Sequence, residues 1–180
     1  MKSLSFILTA LFFLSACNTA TVQVDLPPAP ASMDAVKKMI TGKKYNTEKL
    51  AQVSNLVADK NDPYEWFEEM KDTTAFFRNY RDKRMKFSVQ FVNDTAAVIT
   101  DEAGTNNGAW SIDDQPGEKE TPGIFLRLSV TSEEKLFPGQ TGFSTLTSTY
   151  KILGMNDKQL FLQTPNMFNM RKMAVLLKAE

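Results

Sequence analysis

Residues 85–92, Met-Lys-Phe-Ser-Val-Gln-Phe-Val, decide the fold class, because apolar and polar side chains alternate along them. Successive side chains of a β-strand point to opposite sides, so the apolar ones share one face. That face consists of Met85, Phe87, Val89 and Phe91. Asn93-Asp94 is typical of a tight turn, and Ala96 to Thr100 indicates a returning strand. The stretch therefore predicts an antiparallel hairpin with one apolar face.

The same period of two returns along the rest of the chain. Further strands are predicted at 109–112, 124–130, 143–153, 160–162 and 170–177. Turns are predicted between them at Gly104 to Gly108, at Pro138-Gly139 and at Gly154 to Asp157. In all, about seven short strands at even spacing favour an antiparallel meander that closes into a barrel or packs as a sandwich.

Two helices are predicted before this meander. Ser32 can cap a short helix from Met33 to Thr41, which ends at Gly42. A strand from 44 to 57 follows, and the Asp62-Pro63 pair then resembles a helix start, with Glu65 closing a capping-box-like contact. This second helix is expected over about 63–80 and is amphipathic. Its apolar face consists of Trp66, Phe67, Met70, Phe77 and Tyr80.

The amino terminus has the order of a secretory signal. Lys2 precedes an apolar run from Leu4 to Leu14, which is short for a membrane span. Leu14-Ser15-Ala16-Cys17 resembles the lipobox of bacterial lipoproteins, and the resemblance implies cleavage before Cys17 and acylation of its thiol. We therefore expect a signal peptide over 1–16, a lipid-anchored flexible tether over 17–32 and one domain over 33–180. Asn18 after the cysteine favours the outer membrane, and the lack of a cluster of acidic and basic residues after the cysteine favours its periplasmic face.

Composition excludes several function classes. The 21 basic residues balance 21 acidic ones, so no basic excess is available for nucleic acid. The chain has no histidine and one cysteine, which excludes Ser-His-Asp and Cys-His catalysis and a Cys/His zinc site. Adjacent acidic pairs such as Glu68/Glu69 point apart and do not form the facing carboxyls that a glycosidase needs. We predict no catalytic residue, no cofactor and no metal site.

The chain resembles the lipocalin-like lipoproteins of Bacteroidetes-type bacteria, within the calycin group. The resemblance rests on the helix leading into Ile40 to Tyr45, on the strand of Trp110, and on Tyr150 to Leu153 followed by Asn156 to Leu162. Gly42-Lys43-Lys44 stands where lipocalins have Gly-x-Trp. The family implies a barrel of about eight strands with room for one small apolar ligand.

The residues expected to contact such a ligand lie on the apolar strand faces and on the second helix. The strand residues are Met85, Phe87, Val89, Phe91, Trp110, Ile124, Leu126 and Leu128. Trp66, Phe67 and Met70 would close the mouth of the barrel as a lid. The same side chains would equally fill a packed barrel without a ligand.

Two other functions stay open. A structural or assembly lipoprotein would act through a protein partner in the envelope, with the Ser/Thr-rich run Ser144 to Thr149 as an edge available for pairing. Met167, Met170 and Met173 recur every third residue and could bind Cu(I) through their thioethers, but this spacing alternates faces on a strand. Methionine is also an ordinary core residue.

Overall fold

The computed structural model describes residues 24–53, 64–66, 86–102, 104–114, 122–137, 140–164 and 173–180. The side chains of residues 65, 134–137 and 140 are not described. The described elements, in chain order, are α1 (Met33–Ile40), β1 (Lys44–Val53), β2 (Tyr64–Trp66), β3 (Ser88–Phe91), β4 (Ala96–Asp101), β5 (Gly104–Asp113), β6 (Phe125–Phe137), β7 (Gln140–Met155), β8 (Gln159–Gln163) and β9 (Met173–Ala179).

Eight of these strands close into an antiparallel barrel. Their order is β1-β3-β4-β5-β6-β7-β8-β9, and β9 pairs back onto β1 to complete the circle. Each neighbour after β3 follows its partner in sequence, as in a meander. The short strand β2 lies outside the circle and pairs with the last three residues of β1. The barrel prediction is confirmed, and the sandwich that the strand pattern also allowed does not form.

The barrel interior contains the larger hydrophobic cluster. Side chains alternate across each strand, so every second residue faces inward. On β9 the inward set includes Val175 and Leu177, and on β8 it includes Leu160 and Leu162; all four are fully buried. The apolar positions at a period of two thus explain both the strands and the closed core.

The helix α1 closes one end of the barrel. Ser32 caps it by accepting a hydrogen bond from the backbone N–H of Ala35 at 3.2 Å, as the sequence predicts. Val36 and Ile40 are fully buried in the interior cluster. Gly42, with φ of 79°, turns the chain from α1 into β1, a conformation that glycine adopts without strain.

A second hydrophobic cluster lies on the outer face of the barrel wall. Its buried members are Ala51, Trp66, Phe161, Ala174 and Leu176, from β1, β2, β8 and β9. These positions alternate with the inward residues of the same strands, so they point away from the interior. Tyr64 packs its ring edge-on against Phe161, with 5.0 Å between ring centroids. This outer cluster holds β2 on the barrel.

The structure corrects the start of the helix predicted over 63–80. Tyr64–Trp66 form β2, in register with Ala51, Gln52 and Val53 of β1. Local capping residues favoured a helix, but Tyr64 and Trp66 reach the apolar outer face only from an extended chain, where residues two apart share a side. Residues 67–80 of that prediction lie outside the described residues.

Residues 24–31, placed in the tether by the sequence, lie against the barrel. Val24 packs on the outer cluster, and Pro27 is buried. The backbone N–H of Met155 donates to the carbonyl oxygen of Pro28 at 2.8 Å. Gly154 allows this approach, because a Cβ at that position would lie 2.9 Å from the carbonyl carbon of Pro27. The chain therefore contacts the domain nine residues before α1 begins.

Strands β6 and β7 form a hairpin longer than the sequence indicated. Their register runs from Phe125↔Lys151 to Phe137↔Gln140. The pairing of β5 with β6 ends at Gly108↔Val130. The β6–β7 hairpin therefore extends past the last residue pair that joins β6 to β5. The turn predicted over 104–108 is wrong, because those residues belong to β5 and the chain reverses just before Gly104, whose φ is 133°.

Candidate functional site

The interior of the barrel is the candidate site, and its α1 end is filled by aromatic side chains. Phe91 packs edge-on against Trp110 at 5.1 Å between centroids and against Tyr45 at 6.0 Å. All three are buried. Such edge-to-face pairs add to the energy of apolar burial. Together with Val36 and Ile40 of α1, they form a packed base for the interior.

Trp110 is fixed by a hydrogen bond at this base. Its indole Nε1–H donates to the carbonyl oxygen of Asn93 at 2.7 Å, in the turn between β3 and β4. The backbone N–H of Trp110 donates to the carbonyl oxygen of Thr95 at 2.8 Å. Because the indole is buried and satisfied, its ring is a structural part of the base.

The structure brings together most of the residues that the sequence proposed for ligand contact. Val89, Phe91, Trp110, Leu126 and Leu128 are buried in the interior cluster, with Phe87 and Ile124 partly buried against it. Trp66 lies elsewhere, because it packs on the outer wall beside Phe161. The lid position expected for Trp66 is therefore wrong. Phe67, Met70 and Met85 lie outside the described residues.

A row of four inward-facing residues lies at the end of the barrel opposite α1. Gln52 of β1 is in register with Met173 of β9. The backbone N–H of Thr164 donates to the carbonyl oxygen of Met173 at 2.9 Å. Extending the β7–β8 register by one residue from Lys151↔Gln163 places Tyr150 beside Thr164. We call Gln52, Met173, Thr164 and Tyr150 the far-end row.

An aromatic pair joins a member of the far-end row to the residue before β3 across the interior. Phe87 stacks on Tyr150 at 6.0 Å between centroids, with 29° between the ring planes. Thr47 of β1 fixes Phe87, because its hydroxyl donates to the carbonyl oxygen of Phe87 at 2.9 Å and accepts from its N–H at 3.0 Å. Both rings are partly buried. Because Tyr150 belongs to the far-end row, the pair lies at the level of that row.

Within the described part of the chain, two inward-facing donors of the interior have no hydrogen-bond partner. They are the hydroxyl of Tyr45 and the amide Nε2 of Gln52. Gln52 is 3% exposed, and it alternates with Leu50 of the interior cluster. Buried polar groups are nearly always paired with protein or water, so each of these calls for an explanation. Trp66 Nε1 is also unpaired, but it belongs to the outer cluster.

The two interior tyrosines stay protonated well above neutral pH. Burial raises the pKa of Tyr45 to about 12, and the negative charge of Asp157 adds to this shift. Burial also raises the pKa of Tyr150, while a hydrogen bond with Ser148 lowers it in part. Both phenols therefore remain neutral donors. The interior offers dispersion contacts and neutral hydrogen bonds to a guest molecule.

Sequence reasoning missed the far-end row. Gln52 interrupts the apolar side of a strand with imperfect alternation, and Tyr150 entered only as part of a family resemblance. The missing signal is the register of four strands, which a sequence does not record. The described part of the chain contains no group of three or more acidic, histidine or cysteine side chains placed to hold a metal ion.

Fold and site together define a lipocalin-like barrel, closed at one end by a helix. Comparison with protein-family models, with curated proteins and with solved structures gives no match. Among the described residues, no helix has the length and apolarity needed to cross a bilayer.

Proposed function

We propose that the protein is a lipid-anchored binding protein of the bacterial envelope that holds a small apolar ligand in its barrel. The observation that carries this proposal is the far-end row, where the buried Nε2 of Gln52 has no hydrogen-bond partner among the described residues and Met173 and Tyr150 are partly buried. Ligand sites are mostly apolar with a few converging polar groups, which is the composition of this layer. The packed base at the α1 end supports entry from the opposite end.

Native mass spectrometry of the purified full chain tests ligand binding. We expect a bound mass of a few hundred daltons that is removed by solvent extraction, in keeping with the size of ligands that such small barrels enclose. After extraction, the apolar fluorophore N-phenyl-1-naphthylamine should bind with enhanced fluorescence. A bare mass together with no fluorophore binding would refute the proposal and leave a filled barrel.

The proposed anchor is a lipid on Cys17, and the proposed location is the outer membrane facing the periplasm. The support is the lipobox-like Leu14-Ser15-Ala16-Cys17 with Asn18 after it. Two or three acyl chains would hold the chain firmly, since each buried methylene adds about 0.8 kcal/mol. Metabolic labelling with a palmitate analogue should mark the native chain and leave Cys17→Ala unmarked. Label on the mutant would contradict this anchor.

The second candidate is an assembly lipoprotein that acts through a protein partner in the envelope. The observation that favours it is the β6–β7 hairpin, where Phe143 and Leu146 are 77% and 73% exposed. Phe143→Ser and Leu146→Ser would then abolish partner crosslinking from the hairpin and leave the fluorophore bound as before. Loss of fluorophore binding with crosslinking retained would favour the ligand function.

A further inference from the structure

We propose that Gln52 binds the head group of the barrel ligand, and that this head group is an uncharged hydrogen-bond acceptor such as an ester or ketone carbonyl. The inference rests on the proposed binding function. The ligand would be an uncharged amphiphile with an apolar chain and one acceptor, and Gln52 would select it.

The first reason for this assignment is that the Gln52 side chain is buried. Its side chain is 3% exposed, and its Nε2 donor has no hydrogen-bond partner among the residues that the structure describes. A buried amide without a hydrogen bond costs free energy, which leucine at the same position would not incur. An acceptor on a bound molecule would satisfy this donor and explain why an amide occupies an inward position.

The second reason is that the side chains next to Gln52 are apolar. The next inward residues along β1 and β9, Leu50 and Val175, are 1% and 0% exposed. Met173, directly opposite Gln52, packs on the same interior cluster. Because Leu50 and Val175 are closed off, an apolar chain would lie on the partly buried Met173 and Tyr150, with its acceptor at the level of the Gln52 amide.

The third reason is that Lys49 and Lys151, the lysines next to the row on β1 and β7, face away from the interior. Lys49 of β1 lies on the outer wall, where its Nζ is 5.8 Å from the Trp66 ring centroid. Lys151 of β7 alternates with the inward-facing Tyr150 and Ile152, so it also faces outward. Among the described residues, the far-end row contains no cationic side chain. No described side chain of the row would compensate a buried carboxylate, so the described row favours a neutral head group.

Competition against N-phenyl-1-naphthylamine in the extracted full chain tests the inference. The competitors are methyl decanoate, decane and decanoate, which share a chain and differ in the head group. We expect methyl decanoate to compete best. Gln52→Leu should weaken methyl decanoate roughly 5-fold, which is about 1 kcal/mol at 1.4 kcal/mol per tenfold, and leave decane unchanged. Gln163→Leu is the matched control, because Gln163 alternates with inward Thr164 and faces the outer side with Phe161.

The outcomes separate the two proposals. If neither the fluorophore nor any decyl compound binds, the binding function fails. If they bind but methyl decanoate is no better than decane, or if Gln52→Leu weakens both equally, the binding function stands and the role of Gln52 is overturned. Tighter binding of decanoate than of the ester would overturn the neutral head group.

Thermal unfolding of the extracted protein gives an independent readout. Because the Gln52 Nε2 has no hydrogen-bond partner among the described residues, Gln52→Leu should raise the melting temperature by roughly 2–4 °C in a chain of this length. Gln163→Leu should leave it unchanged. A fall of several degrees in Gln52→Leu would show that the amide has a structural role in the protein, and would overturn the assignment.

Discussion

Gly154→Ala tests the contact between residues 24–31 and the barrel. The added Cβ would overlap the carbonyl oxygen of Pro27 and lie 3.2 Å from that of Pro28, and both are backbone atoms. The segment must therefore move away. Its movement would break the 2.8 Å hydrogen bond from Met155 to Pro28 and expose Pro27 and Val24.

The cost follows from those losses. An unsatisfied buried N–H costs about 1–3 kcal/mol. Partial exposure of Val24 and Pro27 adds about 1 kcal/mol. The sum, about 2–4 kcal/mol, corresponds to a fall in melting temperature of roughly 5–15 °C. Circular dichroism during heating would measure it, and limited proteolysis should show new cleavage within residues 24–31.

A double-mutant cycle isolates the cause. In a chain lacking residues 24–30, Pro27 and Pro28 are absent, so Gly154→Ala should cost less than about 0.5 kcal/mol. The deletion alone should destabilise by an amount similar to Gly154→Ala in the full chain. If Gly154→Ala lowers the free energy of unfolding as much after the deletion as before it, the overlap with residues 24–31 does not cause the loss. The contact between this segment and the barrel would then not contribute to stability.

Two further predictions concern the outer cluster and the packed base. Phe161→Ala should lower the free energy of unfolding by about 3–5 kcal/mol, because the ring is 2% exposed. Phe143→Ala, at an exposed position, should change it by no more than about 0.5 kcal/mol. Equal effects of the two substitutions in urea denaturation would contradict the packing of Phe161 in the outer cluster. The pKa of Tyr45 is raised from 10.0 to about 12, so the unfolded chain loses this proton first and the free energy of unfolding falls as pH rises from 10 to 12. The fall is at most about 2.7 kcal/mol. Tyr45→Phe should reduce it, and an unchanged slope would refute that origin.

The strands from Phe87 to Leu177 were largely predictable, because apolar side chains at a period of two bury one face of an antiparallel wall. The barrel could be distinguished from a sandwich only through the family resemblance, since closure depends on pairing between β1 and β9, which are more than 120 residues apart. Local pattern failed at Tyr64 and Trp66, where a nearby apolar wall outweighed the capping signal of Asp62-Pro63.

The residues of the candidate site also fall into those that the sequence pattern predicted and those that it did not. Val89, Phe91, Trp110, Leu126 and Leu128 were placed inside by alternation alone. Gln52 could not be recognised as a site residue, because that role depends on the neighbouring apolar residues of β9 and on an Nε2 donor without a partner among the described residues. A donor without a partner is a property of three-dimensional packing, and no local pattern encodes it.

If Cys17 carries the proposed lipid, the docking of residues 24–31 on β7 would set the distance of the barrel from a bilayer. With a lipid on Cys17, seven Cα–Cα steps lead to Val24, where the chain first contacts the outer cluster. Seven fully extended steps reach at most roughly 25 Å, whereas a tether free as far as Ser32 would reach about 55 Å. The wall formed by β7 and β8 would therefore be held close to the lipid headgroups, and the barrel could not swing freely around its anchor. Any lipid it exchanged or protein it met would have to come within that same short radius of the membrane surface.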